Sequence, residues 1–266
     1  MLKKLRFNRI CSRIREIEIQ GATNVAKAAL KAYYLIQTEH SKKILLSLRP
    51  TEPLLSHVIE LADKLSRKKI LNHFSESQDK INKLVFILLE GKKKVFTHCH
   101  STNVIKALVY SKKHGRRFEV YNTETRPLFQ GRKTAKELSK AGIKVTNFVD
   151  SAAAIAIKDC DILFFGADAI IDGFIINKVG SGMFSQIAFD NKIPIYILAD
   201  SWKYAHKNIQ LEKRHFKEVW DPKTNRIHIE NPAFEPIKME FVKAIVSELG
   251  VLSAREFIRR AKLRRD

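Results

Sequence analysis

The chain has 266 residues, 45% apolar and 29% charged, and its 49 lysines and arginines against 28 aspartates and glutamates give a formal net charge of +21. This composition excludes global disorder, and no run approaches the roughly 20 apolar residues that span a bilayer. Three widely spaced cysteines with no C-x-x-C pair exclude a disulfide framework and a zinc ribbon. The positive field attracts anions, from phosphorylated metabolites to RNA, without choosing among them.

Residues 1–10 are basic but lack the apolar core and small-residue cleavage site of a secretory signal, so a cytoplasmic location with no membrane association is expected. The first ninety residues read as helical. Val25, Ala28, Ala29, Ala32, Tyr33 and Ile36 line one helical face. Leu54, Leu55, Val58, Ile59, Ala62 and Leu65 repeat that spacing after Pro53, which suits a first helical turn. A third stripe, Ile81, Leu84, Val85, Leu88 and Leu89, stops at Gly91, a residue able to take the left-handed C-cap conformation.

After Gly91 the period changes. Candidate strands at 95–98, 118–122, 144–149, 162–166 and 193–199 alternate with candidate helices at 104–113, 133–141, 151–158 and 181–191. This alternation predicts an α/β fold: an N-terminal helical domain over residues 1–90, then a Rossmann-like domain over 91–266 with a mostly parallel sheet and a basic C-terminal helix. Ligands of such sheets bind beyond the carboxyl ends of the strands, which is where chemistry is expected here.

Two of those ends are informative. The run Val95-Phe-Thr-His-Cys-His-Ser101 delivers Cys99 between two histidines, and Asp161-Ile-Leu-Phe-Phe-Gly-Ala-Asp168 delivers a lone carboxylate. A thiol near a helix N-terminus and beside histidines is expected to have a lowered pKa. Together with Asp168 it suits acid/base chemistry. His98 and His100 form an H-x-H pair that on an extended chain points both rings one way, but without a third ligand nearby no metal site and no cofactor are expected.

Asn177-Lys178-Val-Gly-Ser-Gly182 places an amide, a cation and glycines before a helix, a pattern suited to an anion held by backbone N–H groups and Lys178. Arg126 in Glu124-Thr-Arg-Pro127, and Arg49 in Arg49-Pro-Thr51, are two more cations that can converge on the same crevice for a doubly phosphorylated ligand.

Taken together, Thr97-His-Cys-His-Ser101, Glu124-Thr-Arg-Pro with Gln130-Gly131, Thr134-Ala-Lys-Glu-Leu138, Gly166-Ala-Asp168, Ile176-Asn-Lys-Val-Gly180 and Asn231-Pro-Ala-Phe-Glu235 resemble the superfamily of translation initiation factor 2B α, β and δ subunits. Its enzyme members are methylthioribose-1-phosphate isomerase and archaeal ribose-1,5-bisphosphate isomerase, and the His-Cys-His-Ser form is most similar to the latter branch. The resemblance implies catalytic roles for Cys99 and Asp168. It implies substrate or phosphate contacts for Gln20, Gly21, Ala22, Arg49, His100, Ser101, Arg126, Asn177 and Lys178.

The implied reaction is aldose–ketose isomerisation of ribose 1,5-bisphosphate to ribulose 1,5-bisphosphate, with AMP as an activator to be tested. The implied assembly is a homodimer or a trimer of dimers. The chain departs from the enzymes at Gln20-Gly-Ala-Thr23, where they carry Arg-Gly-Ala-Gly, so one charged phosphate contact is missing. The alternative implied by the same resemblance is a non-catalytic regulatory protein that binds a nucleotide or sugar phosphate and docks on translation machinery. RNA binding through the basic tail at 255–265 is a third possibility.

Overall fold

The computed structural model describes residues 1–49, 52–206 and 209–264. Its N-terminal part is helical: α1 (Leu2–Arg15), α2 (Ala22–Tyr33), α3 (Glu39–Leu48), α4 (Pro53–Leu61) and α5 (Arg67–Leu88). Local sequence explains the boundaries. Thr38 and Ser41 form a capping box on α3, Pro53 occupies the first turn of α4, and the Ser66 hydroxyl caps α5. Gly91 then takes φ +69°. The apolar stripes of α2 and α4 close on Phe7, Ile14, Leu45 and Phe74 in a helical core.

Chain direction then alternates: β1 (Lys94–Thr97), α6 (Thr102–Lys113), β2 (Glu119–Thr123), α7 (Gln130–Lys140), β3 (Lys144–Phe148), α8 (Ala153–Lys158) and β4 (Ile162–Phe165). A hairpin of β5 (Ala169–Ile171) and β6 (Phe174–Lys178) precedes α9 (Ser181–Asp190) and β7 (Ile195–Leu198). The chain ends with β8 (Phe234–Lys238), β9 (Ala244–Ser247), β10 (Gly250–Leu252) and α10 (Ala254–Lys262). The order of the main sheet is β10-β9-β7-β4-β1-β2-β3, and β5, β6 and β8 form a small antiparallel sheet. Every pairing in the main sheet is parallel except β9 with β10.

The inner strands β1, β4, β7 and β9 are buried on both faces, and alternate residues serve different cores. Phe96, Leu163, Phe165 and Ile197 pack with Phe184 of α9 and Phe257 of α10. Val95, Ile162, Phe164 and Leu198 pack with Val85 of α5, Leu108 of α6 and Leu138 of α7. Helix α5 belongs to both halves, since Ile70 and Phe74 sit in the helical core while Ile81 and Val85 sit under the sheet.

The strands expected from sequence appear within two residues at each end, but the hairpin, β8, β9 and β10 were not anticipated. Successive connections run from β1 outward to β3 and then return to β4 on the other side of β1. The order therefore reverses between β1 and β4, and a crevice opens at their carboxyl ends.

Candidate functional site

That crevice is a cleft enclosing about 830 Å³, its mouth included, lined by the loop after β1, the loop after β4, and the starts of α2 and α7. Cys99 and Asp168 both line it, one beyond each of the two central strands. Cys99 has φ +66°. Its N–H donates to Thr125 Oγ1 at 3.0 Å and its carbonyl accepts from Thr134 Oγ1 at 2.7 Å, so the peptide carrying the thiol is pinned on both sides. Gly166 is needed beside it, because a Cβ there would lie 2.4 Å from Ser101 Oγ. Gly131 answers the same requirement in α7, where a Cβ would strike the Thr123 carbonyl oxygen at 1.7 Å.

The histidines have separate partners, because the left-handed turn at Cys99 ends the extended path assumed from sequence. His98 Nε2 donates to the Val179 carbonyl at 3.0 Å, which leaves Nδ1 to accept the Thr123 hydroxyl at 2.6 Å. His100 Nδ1 donates to Thr134 Oγ1 at 3.1 Å. Burial holds both rings neutral, lowering each to about 4, with Lys133 also opposing charge on His100.

The expected low pKa of Cys99 is corrected by this arrangement. Burial pushes the thiol up to about 11, against the pull of Lys178, because the neutral histidines beside it offer no positive charge. Asp168 is raised as well, first by burial and then relieved in part by Lys203, Arg49 and Lys178. Both groups therefore keep protons to higher pH than their free side chains do.

Lys178 ends β6 as a 4%-exposed side chain whose ammonium has no carboxylate or hydrogen-bond partner among the described residues, and it lines the cleft. Asn177 lines it too, its amide donating to Ser181 Oγ at 2.9 Å. At the glycine-rich start of α9 one of the expected anion donors is taken within the chain. The Gly182 N–H already binds Glu235 Oε1 at 2.5 Å.

Other helix starts line the cleft. Gln20, Gly21 and Ala22 line the cleft at the beginning of α2, which has no side-chain cap. His100 and Ser101 line it at the beginning of α6, where Ser101 is the N-cap.

Arg126 is a second correction. It does not line the cleft; its guanidinium is exposed and donates to the Val219 carbonyl at 3.1 Å, while its N–H binds Asp150. Arg49 does line the cleft, although Pro50 and Thr51 of its motif fall outside the described residues. Its Nη2 is already paired with Glu52 at 2.8 Å and Glu212 at 3.1 Å.

Sequence reasoning passed over Glu52, Lys203, Glu212 and Arg214, all in the cleft wall. Lys203 was findable: it follows β7, the neighbour of β4, so the strand-end rule applied once more points to it. Its ammonium donates to the Ala167 carbonyl at 2.6 Å, bracing the peptide before Asp168. The other three sit in irregular segments with no periodic signal.

Fold and site define a doubly wound α/β protein with a helical cap and a cleft lined by cations and carboxylates at the reversal of strand order. The chain belongs to the Initiation factor 2 subunit family, whose sequence pattern matches residues 12–254. It is 31% identical to ribose 1,5-bisphosphate isomerase of Methanocaldococcus jannaschii, over 90% of this chain and 89% of that one. It is 30% identical to the protein of the same name from Thermococcus kodakarensis, over 91% and 89%.

Among solved structures, translation initiation factor 2B of Pyrococcus horikoshii superposes with a TM-score of 0.84 at 23% identity, covering 95% of this chain and 98% of that one. The 5-methylthioribose 1-phosphate isomerase of that organism superposes with a TM-score of 0.80 at 21% identity, covering 97% and 87%. No helix among the described residues is long and apolar enough to cross a membrane.

Proposed function

We propose that the protein is an aldose–ketose isomerase that converts ribose 1,5-bisphosphate to ribulose 1,5-bisphosphate. The observation that carries this reading is the meeting of Cys99 and Asp168 at the ends of adjacent parallel strands, beside Lys178 and the uncapped start of α2. The relatives named ribose 1,5-bisphosphate isomerase support it.

A phosphate on C1 blocks spontaneous ring opening, so the enzyme breaks the C1–O4 bond itself. The Asp168 carboxyl gives its proton to the ring oxygen as that bond breaks, leaving positive charge at C1. Cys99, as thiolate, takes the proton from C2, and a C1–C2 double bond forms. The resulting thiol returns this proton to C1 while the O2 hydroxyl proton passes to the Asp168 carboxylate, leaving a ketone at C2 and both groups restored. Lys178 is the cation that favours the thiolate. It and the N–H groups at Gly21 and Ala22 suit phosphate oxygens, in the absence of an arginine at position 20.

The choice between a bisphosphate and methylthioribose 1-phosphate falls at C5, where a thioether needs an apolar wall and a phosphate needs cations. Lys178, whose ammonium has no carboxylate or hydrogen-bond partner among the described residues, favours the bisphosphate. Assembly as a homodimer is part of this proposal, supported by exposed Ile155, Met183 and Phe189 on the neighbouring helices α8 and α9.

A second reading has its own support. Gln20, together with the pairing of Arg49 by Glu52 and Glu212, weakens this wall for phosphate and favours a regulatory protein that senses a sugar phosphate or nucleotide. A coupled assay for ribulose 1,5-bisphosphate, with and without AMP, separates the two. Turnover that falls about 100- to 10,000-fold in Cys99→Ser and in Asp168→Asn, with substrate still bound, supports the isomerase. No turnover of either this substrate or methylthioribose 1-phosphate by the unaltered protein transfers the assignment to the regulatory reading.

A further inference from the structure

Five buried side-chain polar atoms have no hydrogen-bond partner among the described residues, and three of them, Arg49 Nε, Glu52 Oε2 and Gln130 Oε1, belong to the cleft wall. An unmet buried polar group is destabilising, so such a concentration marks a place where a ligand completes the bonding. Arg49 Nε and Glu52 Oε2 flank one ion pair, in which Arg49 Nη2 meets Glu52 Oε1 at 2.8 Å. One is a donor without an acceptor and the other an acceptor without a donor.

Glu52 is 2% exposed and Arg49 7%. Glu212 shares the Arg49 guanidinium and is itself held by Arg214 Nη1 at 3.0 Å. Burial pushes the Glu52 carboxyl up to about 7, against the pull of Arg49 and Lys203 and with the carboxylates of Asp168 and Glu212 adding to the rise. A phosphate here would satisfy Arg49 Nε but set its own negative charge against Glu52 and Glu212. A hydroxyl group meets both needs at once, donating to Glu52 Oε2 and accepting from Arg49 Nε.

We infer that Arg49 and Glu52 form a hydroxyl-recognising subsite, with Glu52 the specificity residue that selects a sugar bearing a free secondary hydroxyl near Asp168, on C2 or C3 of the ribose. This rests on the isomerase reading of the cleft and adds to it. The phosphates are taken by Lys178 and the start of α2, and the Arg49 wall reads the carbon skeleton between them.

Calorimetric binding of ribose 1,5-bisphosphate and of its 2-deoxy and 3-deoxy analogues, to wild type, Glu52→Ala and Glu52→Gln, tests the subsite. Wild type should bind one of the two deoxy analogues at least about tenfold more weakly than the parent. Glu52→Ala should bring that ratio close to one, and Glu52→Gln, which keeps shape and an acceptor oxygen without charge, should fall between. If wild type binds both analogues within about threefold of the parent, or if Glu52→Ala keeps the full discrimination, the subsite is overturned while the isomerase reading stands. The wild-type ratios decide the matter even where Glu52→Ala does not fold. Failure of the parent bisphosphate to bind overturns the isomerase reading, and this inference with it.

Discussion

The hydroxyl of Thr134 donates to the carbonyl oxygen of Cys99 across 2.7 Å and so ties the first turns of α7 to the peptide that bears the thiol. His100 completes the arrangement by donating to the same hydroxyl at 3.1 Å. Thr134 is a positioning residue in this geometry. Thr134→Val should lower kcat by about tenfold or more with KM nearly unchanged, since a misplaced reacting group loses rate before it loses binding. Thr134→Ser, which keeps the hydroxyl, should restore most of the loss. Steady-state kinetics on the three proteins check this.

Thiol reactivity follows from the raised pKa of Cys99. With the group at about 11, its thiolate fraction at pH 7 is about one in ten thousand. Alkylation of Cys99 by iodoacetamide should therefore be slow at neutral pH and quicken about tenfold per pH unit until it levels near pH 11. Lys178→Met removes the cation that favours the thiolate and should slow alkylation at every pH below that plateau. Peptide mass spectrometry separates Cys99 from Cys11 and Cys160, which are buried and whose pKa values are raised as well.

Acid stability depends on the two histidines. Their folded pKa values, lowered to about 4 from an ordinary 6.5, mean that the unfolded chain binds more protons between those limits. Stability contributed by the neutral rings is complete above pH 6.5 and is lost as pH falls toward 4, amounting to a few kcal/mol for the pair. His73 opposes this trend, since its bond to Asp200 raises its pKa, but that contribution is already complete in acid and is lost only as pH rises. Thermal melts of His100→Gln between pH 4 and 6.5 should show a shallower slope than wild type. An identical slope would remove His100 from the account.

Gly166→Ala tests the closeness of the β4 and β1 loops. The added methyl must displace Ser101, whose Oγ would stand 2.4 Å away, at the N-cap of α6. A loss of about 1–3 kcal/mol in stability is expected, with a fall in turnover because Asp168 lies two residues on. Denaturant titration and the coupled assay measure the two effects on one preparation.

Much of the fold was legible because its signals are local. The period of 3.6 over Val25 to Ile36 and the apolar runs around Phe96 and Phe164 each report burial of one element against whatever covers it. The hairpin of β5 and β6 was missed because its strands are short and flank Asp172-Gly173, which reads as a turn inside a loop. Strands β9 and β10 were missed because they are only four and three residues long. In the site, residues at strand ends were visible one by one, whereas Glu52, Glu212 and Arg214 come from irregular chain and carry no pattern.

The sequence by itself determined which side chains reach the ends of the parallel strands, since strand length and the alternation of apolar residues place Cys99 and Asp168 there. Tertiary structure alone decided their charge. A histidine beside a cysteine is a source of positive charge only if it is protonated, and burial keeps His98 and His100 neutral, in His98 against the Val179 carbonyl, which favours the charged ring. Tertiary structure also gave the Arg126 guanidinium the Val219 carbonyl as its partner, outside the cleft, and set Glu52 against Arg49. Proton affinity and ion pairing depend on what surrounds a group in three dimensions, and those neighbours come from distant parts of the chain.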